Sequence, residues 1–425
     1  MSIRFPIQNL AVRDELAPRH TRAFDPPRRA LVVGAAGGVG HAVRTLLART
    51  PAGAKVSSWV DEILLLDAVG ATEGPRPARS RWLPPQRIAS AEGLARLARE
   101  HRVDHVVDLS SLGTLDCVEA CDALGVAYLT TSVEHWPDRP IPWTELVGAV
   151  LPGARPRLTR ASHLVGSGMN PGIVNALAFR GIAALAEKAG VEATAEAIGL
   201  TSILITEEDT TVELDLQGTG DAFPMTWSPF HCLEELFQAD AIVARDGAAF
   251  PVGHAPHAAW YRARCGDRHV DGMLVPHEEA ITLSTLFPGV EIGFVYRIPP
   301  ASRHALARYP GCRRAEAWPV RKMYAPHATE LHGSDRVGVL LCTEELGELW
   351  IGYDVCSREA LRVGTGATQL QVAAGVLAGW NQLGRARGIH FVEDLDWREY
   401  LALVDSVLGR PAIVHDAEAA PKSLE

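Results

Sequence analysis

Between residues 28 and 132 the chain alternates short apolar runs with segments whose apolar positions recur every three to four residues. Residues 30–33 and 62–67 have the length of buried strands, and "VDHVVDLS" and "VAYLTTS" add two more. The intervening segments, residues 41–50, "AEGLARLAREH" and "LDCVEACDALG", have the period of helices. Strands that alternate with helices are joined by right-handed crossovers, so this pattern predicts a parallel sheet.

From about residue 158 the pattern becomes mixed. The helical segment "NPGIVNALAFRGIAALAEKAG" precedes four strand-like runs, "AIGLTSILIT", "VEIGFVYR", "VGVLLCT" and "ELWIGYDV", separated by loops and short helices. Two further helices, "ATQLQVAAGVLAGW" and "DWREYLALVDSVLG", lie near the end of the chain. The pattern predicts an α+β region followed by C-terminal helices that pack back on the rest.

Composition indicates a globular protein of two or three domains. The chain has 425 residues, of which 47% are hydrophobic and 22% charged. No apolar run is long enough to span a bilayer, and the N-terminus lacks the pattern of a signal peptide. We therefore expect a cytoplasmic protein with no membrane partner. The seven cysteines are scattered without a CxxC pair, which favours buried thiols over disulfides or structural zinc.

The formal net charge of −10 bears on the partner. A nucleic-acid-binding protein needs a basic surface, so nucleic acid is not expected. An acidic field raises the local concentration of cations, which fits a cationic ligand. Solubility alone also explains an acidic composition.

A glycine-rich turn, "GAAGGVG", lies between the first predicted strand and helix. The residues expected to contact a cofactor are Gly34, Gly37, Gly38, Val39 and Gly40. Glycines allow a tight turn and close approach to a pyrophosphate, whose charge lies at the helix N-terminus. Asp67 ends the next strand, where a carboxylate accepts ribose hydroxyls and repels a 2′-phosphate, so NAD is favoured over NADP. The spacing differs from G-x-G-x-x-G, and the alternative is a glycine-rich turn in an unrelated sheet.

These patterns give a domain plan and a fold class. We predict an α/β protein with an N-terminal arm at residues 1–27 and a Rossmann-type NAD-binding domain at 28–157. An α+β substrate domain follows at 158–363, and the C-terminal helices occupy 364–425.

Asn170 lies in the stretch "VGSGMNPGIVNAL". It is predicted to cap the following helix, with Pro171 at the first helical position. Gly166, Gly168 and Gly172 surround it and indicate a backbone that passes close to a ligand. The capping and the ligand interpretations are compatible.

Three further stretches carry candidate chemistry. In "ILITEEDTT" an apolar strand ends in carboxylates that include Glu207, which are either a solvated strand end or aimed into a cleft. Residues 223–237 predict a helix that begins at Ser228–Pro229. Trp227 precedes it and Glu235 lies two turns in. An indole face can hold an ammonium ion by cation–π attraction, although such a tryptophan is also typical of a core.

The third stretch, "DGMLVPHEEAITL", contains His277, Glu278 and Glu279. A histidine beside a glutamate can move protons near neutral pH, or can simply hydrogen bond. No second histidine has metal-ligand spacing, so no metal is predicted.

Taken together, these stretches resemble the bacterial homospermidine synthases within the saccharopine-dehydrogenase-like group, from the glycine turn to about Gly409. The resemblance rests on "NPG", "ITEEDT", "TWS" with Glu235 at the matching distance, "LVPHEEAITL", "VGVLL" and "ATQLQVAAGVLAG" in this order. It implies an enzyme that uses NAD without net consumption. Putrescine is oxidised to an imine, ammonia is lost, a second amine attacks, and the retained hydride reduces the Schiff base.

The resemblance also implies roles for individual residues. Trp227 would hold the substrate cation, and Glu207 and Glu235 would bind ammonium groups and take protons. Asn170 would orient the amine near the nicotinamide, and His277 and Glu279 would lie close by. Ser110, Thr131 and Thr368 would lie near the cofactor. The partner would be a diamine or polyamine, and the assembly a homodimer.

Two segments depart from the family pattern. "SSLGT" has serine where the family carries an acidic residue, and "IPPASRHALARYPG" replaces a segment rich in histidine and tyrosine. The amine could therefore be another diamine. Two alternative functions stay open: an amine dehydrogenase or reductive aminase with net redox turnover, and a non-catalytic NAD-binding sensor.

Overall fold

The computed structural model describes residues 3–4, 28–151, 153–155, 157–213, 222–309, 311–324 and 330–419. Apart from the strand Ile3–Arg4, the predicted N-terminal arm lies outside the described residues. The α-helices are α1 (Gly38–Arg49), α2 (Pro51–Ser57), α3 (Ala91–His101), α4 (Thr114–Leu124), α5 (Trp143–Val150), α6 (Ile173–Ala189), α7 (Pro229–Leu236), α8 (Glu278–Ser284), α9 (Pro300–Arg308), α10 (Ser357–Val363), α11 (Ala367–Gln382) and α12 (Trp397–Leu408). Two 3₁₀ helices are Pro256–Ala258 and Val392–Asp394.

The β-strands alternate with these helices. They are β1 (Ile3–Arg4), β2 (Arg29–Val33), β3 (Glu62–Leu66), β4 (Ser80–Trp82), β5 (His105–Asp108), β6 (Ala127–Thr130), β7 (Ser162–Leu164), β8 (Leu200–Asp209), β9 (Val212–Glu213), β10 (Ala222–Met225), β11 (Ile242–Arg245), β12 (Ala248–Pro251), β13 (Tyr261–Cys265), β14 (Arg268–Val275), β15 (Glu291–Arg297), β16 (Val320–Met323), β17 (Leu331–His332), β18 (Ser334–Thr343), β19 (Glu348–Cys356), β20 (Gly388–His390) and β21 (Ala412–Asp416).

The chain forms two compact units. Of the described residues, the parallel-sheet unit contains those in 28–173 and 372–407, and the mixed-sheet unit contains those in 3–4, 174–371 and 408–419. The predicted α/β fold class is confirmed. The domain boundaries read from the sequence, at residues 157 and 363, stay a prediction, and the compact units divide the chain at other positions.

In the parallel-sheet unit, seven strands have the order β20-β7-β6-β5-β2-β3-β4, and every pair is parallel. Strands such as β2 are buried because helices cover both faces of such a sheet. The order reverses between β2 and β5. The C-terminal segment packs back, as predicted: the Ser167 hydroxyl donates a hydrogen bond to the Gly375 carbonyl of α11 at 3.0 Å.

The mixed-sheet unit contains a ten-stranded sheet with the order β1-β12-β11-β15-β8-β18-β19-β21, and β14 pairs with both β13 and β15. Helix α6 lies so close to β18 that a Cβ at Gly181 would stand 2.6 Å from the Leu341 side chain. The hairpin β13–β14 contributes Val270 and Leu274 to a core shared with the buried Trp350. The central strand β8 pairs with β15 on one side and β18 on the other.

One local prediction is wrong. Helix α6 begins at Ile173, so Asn170 is not its cap and Pro171 is not its first residue. The Asn170–Pro171 bond is cis, and Gly172 has a φ of +135°. The Gly168 amide donates to the Pro171 carbonyl at 2.8 Å, which closes a turn before the helix. These backbone contacts override the local Asn-Pro signal.

Candidate functional site

In the glycine turn, the fold requires glycine at two positions but not at a third. Gly34 leaves β2 with a φ of +76°, and a Cβ there would meet the Leu109 carbonyl oxygen at 2.6 Å. A Cβ at Gly40 would stand 2.2 Å from the Gly34 carbonyl oxygen. A Cβ at Gly37, by contrast, would make only one ordinary contact, at 3.4 Å. Packing therefore fixes Gly34 and Gly40 but leaves open space over Gly37.

The start of α1 presents backbone amides beside that open space. Gly37 is the N-cap, its extended backbone has φ −67° and ψ 173°, and no side chain caps the helix. The first turn contains no acidic residue. Gly37 is exposed, and Gly38 and Val39 are half-buried. The amides at the positive end of this helix are uncapped, and the open space over Gly37 lies beside them. A phosphate group suits this arrangement, whereas a side chain at position 37 would fill the space.

This turn lies where the strand order reverses. Gly34 follows β2 and contacts the residue that follows β5, its neighbour across the reversal. In open parallel sheets, ligands bind outside the carboxyl ends of the strands at this reversal. Four other predicted residues follow strands of the same sheet, at the same edge: Asp67 after β3, Ser110 after β5, Thr131 after β6 and Asn170 after β7.

Asp67 and Ser110 already have partners inside the protein. The Asp67 carboxylate accepts from the Ala36 amide at 3.0 Å and the Val69 amide at 3.1 Å, so it braces the glycine turn. The Ser110 hydroxyl donates to Asp108 at 2.6 Å. Each Asp67 oxygen retains a second lone pair, and its predicted bond to ribose stays a prediction.

Asp108 is a buried group at this edge that the sequence did not single out. It is fully buried at the end of β5, and the Tyr128 hydroxyl donates to it at 2.6 Å. Burial raises the pKa of Asp108 to about 6, although the hydrogen bonds from Ser110 and Tyr128 oppose the shift. Its contacts show a role in positioning the loop after β5.

The glycines around Asn170 are accounted for by backbone packing. A Cβ at Gly172 would meet the Gly168 carbonyl oxygen at 2.3 Å, and a Cβ at Gly375 of α11 would meet the same oxygen at 2.0 Å. The predicted approach of a ligand is not needed to explain them and stays a prediction.

The mixed-sheet unit contains a buried acidic cluster. We use this name for His277 and the six carboxylates Glu207, Asp209, Glu235, Glu278, Glu279 and Asp335. All are at most 8% exposed except Glu235, whose side chain is 23% exposed. The apolar strand β8 continues through Glu207 and Asp209, so the alternative of a solvated strand end is wrong. Glu208 is not a member, because it pairs with Arg268 at 2.5 Å and Arg297 at 3.6 Å.

His277 is the N-cap of α8 and lies within 4 Å of three carboxyl groups of the acidic cluster. Its Nδ1 contacts the Glu279 carboxylate and lies 3.2 Å from Glu278, while Nε2 lies 3.9 Å from Glu235. Burial alone lowers the pKa of His277, but the carboxylates outweigh it and raise the pKa to about 10. His277 is therefore an imidazolium at neutral pH.

Glu235 is the member that titrates near neutral pH. Burial raises its pKa to about 8, the His277 charge opposes this, and Glu278, Glu279 and Glu207 add to the rise. A group with such a pKa can both accept and return a proton at neutral pH.

Asp209 and Asp335 face each other across the antiparallel pair β8–β18. Thr226 donates to Asp209 at 2.7 Å, and Thr368 donates to Asp335 at 2.6 Å. Burial raises the pKa of both carboxyls, and Glu207 and Asp209 add to the rise at Asp335. Thr368, predicted to lie near the cofactor, thus supports the acidic cluster; a cofactor contact stays a prediction.

Aromatic rings border the acidic cluster. The Trp227 indole, which is half-buried, donates from Nε1 to the Tyr296 hydroxyl at 3.1 Å. The Tyr296 ring stacks on Phe294 at 5.7 Å, and Phe294 meets the His277 ring edge-on at 5.2 Å. Ser228 caps α7 and Pro229 is its first residue, as predicted. Trp227, Glu235, His277, Glu279 and Glu207 therefore come together in one unit.

Sequence reasoning missed Tyr296 and Asp335. Both lie in strands that otherwise appear as ordinary apolar runs, and no local motif distinguishes them. Only strand register places Tyr296 and Asp335 beside Glu207 and Asp209.

Among the described residues, one group has the geometry to hold a metal ion: the ligand atoms of His277, Glu278 and Glu279 lie within 4.8 Å of one another. A metal needs the lone pair of a neutral imidazole, whereas the pKa of His277 is raised to about 10. The donor set fits an internal ion pair better than a metal.

Comparisons with solved structures identify the fold. A homospermidine synthase from Legionella pneumophila, solved in complex with NAD, is 18% identical with a TM-score of 0.73, covering 94% of both chains. Saccharopine dehydrogenase from Saccharomyces cerevisiae is 11% identical with a TM-score of 0.51, covering 92% of this chain and 100% of the other. The resemblance seen in the motifs is confirmed at the level of the fold.

Other comparisons found no match. No protein-family model matches the chain, and no curated protein matches it either. No helix among the described residues is long and apolar enough to cross a membrane.

Proposed function

We propose that the protein is an NAD-dependent enzyme that transfers an aminoalkyl group from a diamine to a second amine, as homospermidine synthases do. The observation that carries the proposal is the acidic cluster. Five buried carboxyl groups and the partly exposed Glu235 lie in one unit with the His277 imidazolium, and an aromatic wall ends in a half-buried indole. Ionising these carboxyl groups together is costly unless a cation compensates the charge.

The parallel-sheet unit is suited to hold NAD. The open space over Gly37 and the uncapped amides of α1 would receive the pyrophosphate, and Asp67 would face the ribose. NAD, when bound, would supply the removal and return of one hydride.

The acidic cluster would bind the diamine as a dication. Glu207 and Glu235 would accept hydrogen bonds from the ammonium groups, which are about twice as strong as neutral hydrogen bonds. Trp227, held by Tyr296, would offer its indole face to the cation. An amine must lose its ammonium proton before it can become an imine, and Glu235, with a pKa of about 8, would accept that proton.

The His277–Glu279 pair would keep the site electrostatically balanced. Because His277 is an imidazolium, it offsets one carboxylate charge and fixes the orientation of Glu279. Asp209 and Asp335 would lie further along the same face of β8 and β18, where they could receive a second ammonium group.

The principal test incubates the enzyme with putrescine and with NAD at a concentration far below that of putrescine. Mass spectrometry should detect a secondary amine formed over many turnovers, with ammonia released in equal amount. NADH that accumulates in proportion to product would instead support an amine dehydrogenase, the second candidate, which the likeness to saccharopine dehydrogenase favours. NAD binding without turnover on any diamine of a panel would support the sensor alternative and would contradict the proposal.

The proposed homodimer is tested separately. Size-exclusion chromatography with light scattering at several protein concentrations should give twice the mass of the 45.8 kDa chain. A constant monomer mass would contradict it without bearing on the activity.

A further inference from the structure

A cavity in the mixed-sheet unit has the opposite chemistry to the acidic cluster. Its volume is about 330 Å³, and it lies between the end of α7, strand β14, the 3₁₀ helix Pro256–Ala258 and helix α9. None of the described residues that line it is acidic. This volume is at the lower end of the roughly 300–1,000 Å³ range of small-molecule sites.

The walls of the cavity are largely apolar and aromatic. Phe237, Leu306 and Tyr309 line it, as does Trp260, which is 51% exposed. The walls therefore suit the body of an aromatic or aliphatic molecule.

Two arginines, Arg303 of α9 and Arg313, line the same cavity. The Arg303 Nε is buried and has no hydrogen-bond partner among the described residues. Burial lowers the pKa of Arg303, and the neighbouring Arg297 lowers it further. Glu208, which acts on Arg303 in the opposite direction, is already paired with Arg268 and Arg297.

Arg303 is half-buried, but its buried Nε–H has no partner among the described residues, which is destabilising, and an anionic oxygen would satisfy it. We propose that this cavity binds a small molecule with an aromatic or aliphatic body and a carboxylate or similar anionic group. Arg303 would hold the anion, Arg313 would add positive charge at the rim, and Trp260 would cover the apolar body.

Part of the cavity is formed by a segment in which this chain departs from the resembled family. Arg303, Leu306 and Tyr309 lie within "IPPASRHALARYPG", the stretch that departs from the resembled family. The proposal does not depend on the amine reaction, because binding can be measured without turnover.

The test uses 3-phenylpropionate as the probe, with isothermal titration calorimetry on the full chain. We expect binding that weakens at least tenfold for the neutral analogue 3-phenylpropanamide. Arg303→Gln should weaken binding of 3-phenylpropionate at least tenfold. The matched control Arg308→Gln removes the same charge from α9 at a residue that does not line the cavity, and should change the affinity less than twofold.

A second variant keeps the test decisive if Arg303→Gln does not fold. Leu306→Trp leaves both arginines in place but fills the cavity, and should also abolish binding of 3-phenylpropionate. Equal affinities for the carboxylate and the amide, or an effect of Arg308→Gln as large as that of Arg303→Gln, would overturn the proposal. So would unchanged binding in the Leu306→Trp variant.

Two further titrations distinguish the source of the anion. Phenyl phosphate that binds more tightly than 3-phenylpropionate would identify a phosphate ligand. Putrescine is a dication, so 3-phenylpropionate should still bind in the presence of saturating putrescine, and this would show that the cavity binds a separate molecule. Competition between the two would contradict an anion site, and neither result requires catalytic activity.

Discussion

The glycine turn and the acidic cluster are built in opposite ways. The turn is a continuous stretch, residues 34–40, and it offers backbone amides whose positions depend on the absence of side chains. The acidic cluster consists of side chains delivered by β8, α7, α8 and β18, which are far apart in sequence. A backbone site is therefore sensitive to any added atom, whereas a side-chain site is sensitive to charge and tolerates changes that preserve shape.

The difference also separates two kinds of evidence for a ligand. At the turn the evidence is the missing side chain at Gly37, because a Cβ there would fit and packing does not explain the glycine. At the acidic cluster the evidence is an excess, since the cluster contains six carboxyl groups and one imidazolium.

Gly37→Val should abolish most NAD binding while the protein stays folded. The backbone of Gly37 is in a region open to any residue, and its Cβ would make one ordinary contact, so folding tolerates the change. The added side chain would occupy the pyrophosphate cradle, with a loss on the order of 100-fold, or about 2.8 kcal/mol. Calorimetric titration with NAD measures this.

The matched comparison for that variant is Gly34→Ala. A Cβ there collides with backbone at 2.6 Å, and φ is +76°. This variant should lose thermal stability as well as NAD binding. The backbone-site interpretation is wrong if Gly37→Val binds NAD as tightly as the wild-type protein.

Glu235→Gln should weaken putrescine binding by roughly 10- to 100-fold, because a hydrogen bond to a charged group contributes about 1.5–3 kcal/mol. Glu235 has a raised pKa of about 8 and is therefore largely protonated at neutral pH. A bound dication favours its ionised form, so binding should release a proton, and affinity should rise as pH increases toward about 8.

Calorimetry in buffers of different ionisation enthalpy counts the released protons. The wild-type protein should release a proton near pH 7 and the Glu235→Gln variant should not. Glu234→Gln, one residue away on α7, is the control and should behave as wild type. Equal proton release in the wild type and Glu235→Gln would contradict the assignment of Glu235 as proton acceptor.

The sequence predicts the parts of both sites that are local. Residues that are adjacent in sequence determine three such features: the order of strands and helices in the parallel-sheet unit, the glycine turn, and the helix start at Ser228–Pro229. The predicted cap at Asn170 failed because contacts between Gly168 and Gly172 close a turn first. Tyr296 and Asp335 were not predicted because register between distant strands, which no local pattern records, brings them to the acidic cluster.

Trp227→Leu should weaken the binding of putrescine by about 2- to 30-fold, since a cation–π contact contributes roughly 0.5–2 kcal/mol. Leucine keeps an apolar side chain but removes both the ring face and the bond to Tyr296. Tyr296→Phe is the matched control, because it removes only the bond partner of the indole and should cost less. Comparable losses in Trp227→Leu and Tyr296→Phe would show that the hydrogen bond, rather than the ring face, is what matters.

The smallest expected effect concerns folding rather than binding. Asp335→Asn should stabilise the protein without ligand at pH values where both Asp335 and Asp209 ionise, because like charges directly opposite each other cost up to about 1 kcal/mol. The folded pKa of Asp335 is raised by burial, so the folded wild type retains a proton that the unfolded chain releases. Wild-type stability therefore falls as pH rises through the interval from the unfolded pKa to the raised one.

Asparagine does not titrate, so the advantage of Asp335→Asn should be larger at about pH 9 than at about pH 6, as measured by urea unfolding. Asp354→Asn, an exposed position paired with Arg336 at 2.7 Å, is the control and should bring no gain at either pH. If Asp335→Asn destabilised the protein equally at both pH values, groups within the protein would already neutralise the charge of the carboxylates. The excess of negative charge would then no longer argue for a bound cation, whereas the backbone evidence at Gly37 would be unaffected.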